Sequence, residues 1–157
     1  MEENEYKSKY NDLTTIRCVF EKALTNHKAK CELAKHFCLA DREGYACESE
    51  EASGKCHELL KKLRENSIFV LKLHEIDGPL PHNMEIRVQV GGMAGLVKAV
   101  MKEKADDTAP LVTKDINGVV VKAAEEFGSL EDLPYSEIIQ SVLQFQGRRR
   151  RQRLNDD

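Results

Sequence analysis

Residues 31–56 read CELAKHFCLADREGYACESEEASGKC. Four of the five cysteines lie in this stretch: Cys31, Cys38, Cys47 and Cys56, with six, eight and eight residues between them. The fifth, Cys18, precedes it, and none follows Cys56. How the stretch folds decides the architecture of the N-terminal half and the role of the thiols. His27, Cys31, Ala34 and Cys38 are spaced four, three and four apart, which places them on one face of a helix. Gly44 interrupts that pattern, and Cys47 falls in polar sequence. Ser49 is a natural N-cap, with Glu50 and Glu51 suited to a first helical turn. The helix that follows, to about Leu73, carries Cys56, Leu59, Leu60, Leu63, Ser67, Val70 and Leu71 on one side. The stretch is therefore expected to be a cysteine-bearing helix-loop-helix, with Cys31 and Cys38 on the first helix, Cys47 in the loop and Cys56 on the second. Antiparallel packing of the pair would bring the four sulfurs together.

Before this stretch, Leu13, Ile16, Phe20 and Leu24 recur at three- and four-residue steps and predict a helix over about 9–28. After it, DGPLPHN (77–83) is a loop with two prolines. Met84, Ile86, Val88 and Val90 alternate with Glu85, Arg87 and Gln89, the pattern of a short strand. Gly91, Gly92 and Gly95 follow, leading into a helix to about Lys104. GGxxG lacks the Lys-Ser/Thr of a P-loop and the full GxGxxG of a dinucleotide fold. A turn or close helix packing is the better reading. Asp115 opens a helix that Gly128 ends. Asp132 and Pro134 start another, with Ile138, Ile139, Val142 and Phe145 as its buried stripe and Gly147 as its stop.

The expected fold is mostly α, a bundle-like arrangement with at most one short strand. The divisions are a cysteine-bearing helical region (1–76), a C-terminal helical region packed on it (77–147) and a basic tail (148–157). The 157 residues are 32% charged, without tryptophan, and carry a formal charge of −3. The tail's five arginines and two aspartates set aside, 19 basic and 25 acidic side chains remain, a formal charge of −6. An acidic body opposes general nucleic-acid binding. The Arg148–Arg153 patch has no interleaved aromatic residues and reads as a solvated end or a dock for an acidic partner. The polar, acidic N-terminus resembles neither a signal nor a transit peptide, and no apolar run is long enough to span a bilayer. The cytoplasm is the expected location.

That compartment disfavours structural disulfides, and an odd cysteine count leaves one thiol over. Thiolates are soft ligands for zinc, copper(I) or iron–sulfur clusters. Structural zinc sites use closely spaced cysteine pairs, and none occurs here. A cubane is larger than an ion and is gripped by widely separated corners. The spacing therefore points to one [4Fe–4S] cluster on Cys31, Cys38, Cys47 and Cys56, with zinc as the alternative metal. Lys30, Lys35, Arg42 and Lys55 would offset cluster charge, and His27 is a candidate substitute ligand. Cys18, beside Val19 and Phe20, reads as a core residue and a fifth candidate. The bland alternative is that the thiols are small core hydrophobes, which suits Cys47 least. No hydrolase constellation is present, so a carrier or accessory is expected rather than an enzyme. Its role would be electron transfer, or redox-sensitive service to a larger enzyme. The competing class is an interaction or adaptor protein with structural zinc or plain core cysteines.

Overall fold

The computed structural model describes residues 16–68, 71–72, 80–101 and 113–145. These residues are mainly helical, with one two-stranded antiparallel sheet. Along the chain come α1 (Glu21–Thr25), β1 (Ala34–Leu39), β2 (Arg42–Cys47) and α2 (Glu50–Asn66). There follow α3 (His82–Ile86), a π-helical turn (Arg87–Gly91), α4 (Gly92–Met101) and α5 (Ile116–Phe127). A 3-10 turn (Leu130–Asp132) and α6 (Tyr135–Gln144) complete the order.

The cysteine-rich stretch does not form the expected helix-loop-helix. Its first half is a β-hairpin, in which Ala34 pairs with Cys47, His36 with Tyr45, Phe37 with Gly44, and Cys38 with Glu43. Ala40, with φ 57°, makes the reversal together with Asp41. A non-glycine residue there hid the turn, because hairpin loops usually announce themselves by Asn-Gly or Asp-Gly. Gly44 is a strand residue and not a break. A Cβ at Gly44 would lie 2.5 Å from Cζ of Phe37, so the ring covers the glycine. A lone hairpin is marginal in water. Here the segment before α1 adds to β2: Cys18 N–H donates to Tyr45 O (3.0 Å), and Cys47 N–H donates to Ile16 O (2.9 Å).

α1 is shorter than predicted over the described residues, although Phe20, Ala23 and Leu24 are buried as the stripe requires. Its end is a Schellman arrangement. His27 N–H donates to Leu24 O and Lys28 N–H to Ala23 O, with His27 at φ 58°. α2 starts where the sequence places it, Ser49 Oγ accepting from Ala52 N–H at 3.1 Å. It ends at Asn66, short of Leu73, and Ser67 Oγ donates to Leu63 O.

The alternating run 84–90 is not a strand but helix, α3 passing through the π turn into α4. Alternation implied a solvent face bearing Glu85 and Gln89; instead both are buried, at 4% and 3% exposure. They lie one helical step apart and hydrogen-bond, Gln89 Nε2 donating to Glu85 Oε2 at 2.7 Å. Residues 88–96 are all buried, and along a stretch covered that fully the apolar period is uninformative.

The glycines serve close packing, as the sequence reading favoured. A Cβ at Gly91 would stand 2.6 Å from Val142 Cα, and one at Gly95 would strike the Ile138 carbonyl. α4 and α6 thus touch backbone to backbone. Arg87 binds the carbonyls that end α6, donating from Nε to Phe145 O at 3.0 Å and from Nη2 to Leu143 O at 3.3 Å. Asp115 precedes α5 as predicted but turns its carboxylate elsewhere: Oδ1 accepts from Glu32 N–H at 3.0 Å. Gly128, at φ 91°, ends α5. Pro134 occupies the N-cap position of α6, where Ile138 and Val142 are fully buried. Side chains from α1, α2, α4, α5 and α6 form one core cluster. Gly147 and the arginine patch lie outside the described residues.

Candidate metal centre

Cys18, Cys31, Cys47 and Cys56 line one small cavity with Val19, Leu33, Ala34, Ala52 and Ile116, its free volume ≈ 20 Å³, about that of one water. Each thiol arrives on a separate piece of backbone. Cys18 comes from the segment paired to β2, Cys31 from the loop before β1, Cys47 from the end of β2, and Cys56 from the second turn of α2. The loop that carries Cys31 is held against the start of α5. Lys30 N–H donates to Thr113 O (2.8 Å), and Ile116 N–H donates to Lys30 O (2.9 Å).

Three of the four residues singled out by spacing, Cys31, Cys47 and Cys56, are brought together. Cys38 is not among the cavity's lining residues and is exposed. The reason is strand geometry. Ala34 lines the cavity, and Cys38 lies four residues farther along β1, about 13 Å at strand rise. Cys18 takes the fourth place. Its apolar neighbours mark it as core, and it does pack against the core cluster, as do Cys31 and Cys56; what sets it beside the others is the pairing of its segment to β2, which no local pattern announces. His27 is exposed at the end of α1 and does not line the cavity. His36 is exposed on the hairpin, 3.3 Å from Glu43, its ring tilted against that of Tyr45 at a centroid distance of 5.0 Å.

Burial pushes the Cys18 thiol up from 9.0 to about 12, against the Phe20 backbone N–H, which favours the thiolate; the charges of Cys31, Cys47 and Glu21 add to the rise. Cys56 is likewise pushed up to about 12, by burial first and then by the charges of Cys18, Cys31 and Cys47. Cys31 is raised by burial, while the backbone N–H groups of Leu33 and Asn117 oppose the rise. Asn117 stands in the first turn of α5, where N–H groups lack helical partners. Cys47 donates its S–H to Ser49 O at 3.2 Å. Ionising one of these thiols would therefore be opposed by ionisation of the others, and backbone donors are aimed at two of them. Among the described residues, no group of three or more histidine, cysteine or carboxylate side chains is drawn close enough to hold a metal ion. The four cysteines line one space without converging on one point.

Among the described residues no helix is long and apolar enough to cross a membrane. Comparison of the chain with family models, with curated proteins and with solved structures finds no match.

Proposed function

We propose that the protein carries one [4Fe–4S] cluster on Cys18, Cys31, Cys47 and Cys56, and works in the cytoplasm as a one-electron carrier or redox-sensitive accessory of a larger enzyme. The observation that carries this reading is the cavity itself: four thiols from four backbone segments meet around one space. Plain core cysteines have no need of that company, since four neutral thiols gain little from one another. As thiolates they repel, and a bound cation offsets the repulsion. N–H groups aimed at Cys18 and Cys31 sulfur stabilise thiolates and tune a cluster's potential. Sulfurs spread round a space suit a cluster better than a single zinc, which draws its ligands to about 2.3 Å. A space for one water is smaller than a cubane, so loading spreads the ligand segments. Four separate segments can yield in a way that one rigid element cannot.

Anaerobic purification followed by visible absorbance and assays of iron, acid-labile sulfide and zinc tests the proposal. The expected result is a coloured protein with iron and sulfide in equal amounts. Serine at position 18, 31, 47 or 56 removes the colour, and Cys38→Ser keeps it. Stoichiometric zinc without sulfide replaces the cluster by a structural site in an adaptor. Neither metal, before or after reconstitution, overturns both readings.

A further inference from the structure

On the other side of Cys18 and Val19 a groove of ≈ 800 Å³ opens, bounded by α1, α2 and α3. That size is within the range of small-molecule sites. Its charges are arranged unequally. The two carboxylates are withdrawn and occupied: the side chain of Glu21 is 12% exposed and bound by Arg17 at 2.7 Å, and that of Glu85 is 5% exposed and bound by Arg64 at 2.8 Å. The cationic ends lie outward, Arg17 at 68% and Arg64 at 37%. Arg64 spends Nε and Nη2 on Glu85. Lys22, in the same wall, donates to Nδ1 of His82 at 3.0 Å and adds a positive charge with no carboxylate opposite it among the described residues. His57 stands at the rim. Ile16, Val19, Leu60 and Leu80 supply apolar surface. In a chain of net charge −3, this groove presents one uncompensated cation, Lys22, beside apolar surface.

A second feature marks the same place. Glu85 and Gln89 reach the groove from the helix that contains the π turn Arg87–Gly91, and such turns occur frequently at functional sites.

We infer that the groove binds a small organic anion, a carboxylate with a compact apolar body, and holds it against the Cys18 side of the thiol cavity. Lys22 takes the carboxylate, and Val19, Leu60 and Leu80 take the body. The inference stands whether or not the thiols hold a metal, since no groove contact depends on one.

The test is calorimetric titration of the protein as purified with benzoate, inorganic phosphate and benzylamine at low salt. Benzoate is expected to bind and to weaken as salt rises. Lys22→Glu is expected to weaken it about tenfold or more, as loss of a charged contact does. His57→Glu, on an exposed helix position that leaves the fold intact, lowers it in the same direction. Benzylamine and phosphate should bind more weakly than benzoate. Benzylamine binding as well as benzoate, phosphate binding better than benzoate, or benzoate indifferent to both variants each overturns the inference, as does absence of benzoate binding. Iron and sulfide assayed on the same samples report the metal centre separately.

Discussion

At the scale of single residues, the thiols divide by environment. A rise from 9.0 to about 12 at Cys18 cuts its thiolate fraction at pH 8 roughly a thousandfold, and only the thiolate is alkylated. In metal-free protein, iodoacetamide should modify exposed Cys38 first and Cys18 and Cys56 last, as read by peptide mass spectrometry over time. Equal rates at all five would mean the cavity does not exist in solution. The same shift sets a pH dependence. The folded-state value lies above the unfolded one, so the contribution of the neutral thiol is complete below pH 9 and is lost as pH rises toward 12. Metal-free protein should therefore lose melting temperature across that interval, and loaded protein should lose less of it, its thiolates being already deprotonated.

At the scale of elements, two helical glycines separate propensity from packing. Glycine in a helix interior costs about 1 kcal/mol relative to alanine. A Cβ at Gly54, in the second turn of α2, would meet nothing within 4 Å. Gly54→Ala should stabilise by roughly 0.5–1 kcal/mol. Gly95→Ala gains the same propensity but drives a methyl into the backbone of α6, an overpacking that costs about 1–3 kcal/mol or more. Urea denaturation should move the two midpoints in opposite directions, and a shift of both upward would refute the close crossing of α4 and α6. This contrast also shows what the sequence discloses. The caps at Ser49 and Gly128 and the stripe Ile138–Val142 were legible because each depends on neighbours within a turn. The close approach at Gly91 and Gly95 was legible in kind but not in partner. The hairpin was not legible. Cys31, Ala34 and Cys38 fit helical spacing, Ala40 gives no turn signal, and the pairing that stabilises β2 comes from residues 16–18, across α1. The helix running from α3 into α4 misled by the opposite route, since its stretch 88–96 is buried throughout and carries no amphipathic period. The site inherited both difficulties. Three of the cysteines that line the cavity were visible by spacing, while the place of Cys18 beside them depends on a tertiary contact.

At the scale of the whole molecule, a chain of buried and part-buried polar bonds ties the C-terminal half to the loop that carries Cys18. Arg64 on α2 grips Glu85 with two bonds, 3.0 and 2.8 Å. Glu85 accepts from Gln89. Gln89 Oε1 accepts from Ala23 N–H at 3.0 Å, and its Nε2 reaches Val19 O at 3.5 Å. Buried polar groups are costly unless satisfied, and such a network fixes position more than it adds stability. What it positions is the segment from Val19 to Ala23, next to a cavity thiol. Gln89→Leu keeps the volume, and Ala23 N–H retains Phe20 O at 2.9 Å, so folding should weaken by only about 1–2 kcal/mol. Retention of the proposed cluster should fall more, by roughly 10- to 100-fold, the effect of losing a group that orients a ligand. Ile138→Val costs a comparable 0.5–1.5 kcal/mol, roughly, on α6, away from this loop. Release of iron to a chelator, measured beside urea midpoints for both variants, decides the matter. Fast release from Gln89→Leu alone assigns the network to the site. Equal release from both would mean that retention follows global stability and that the network serves only the fold.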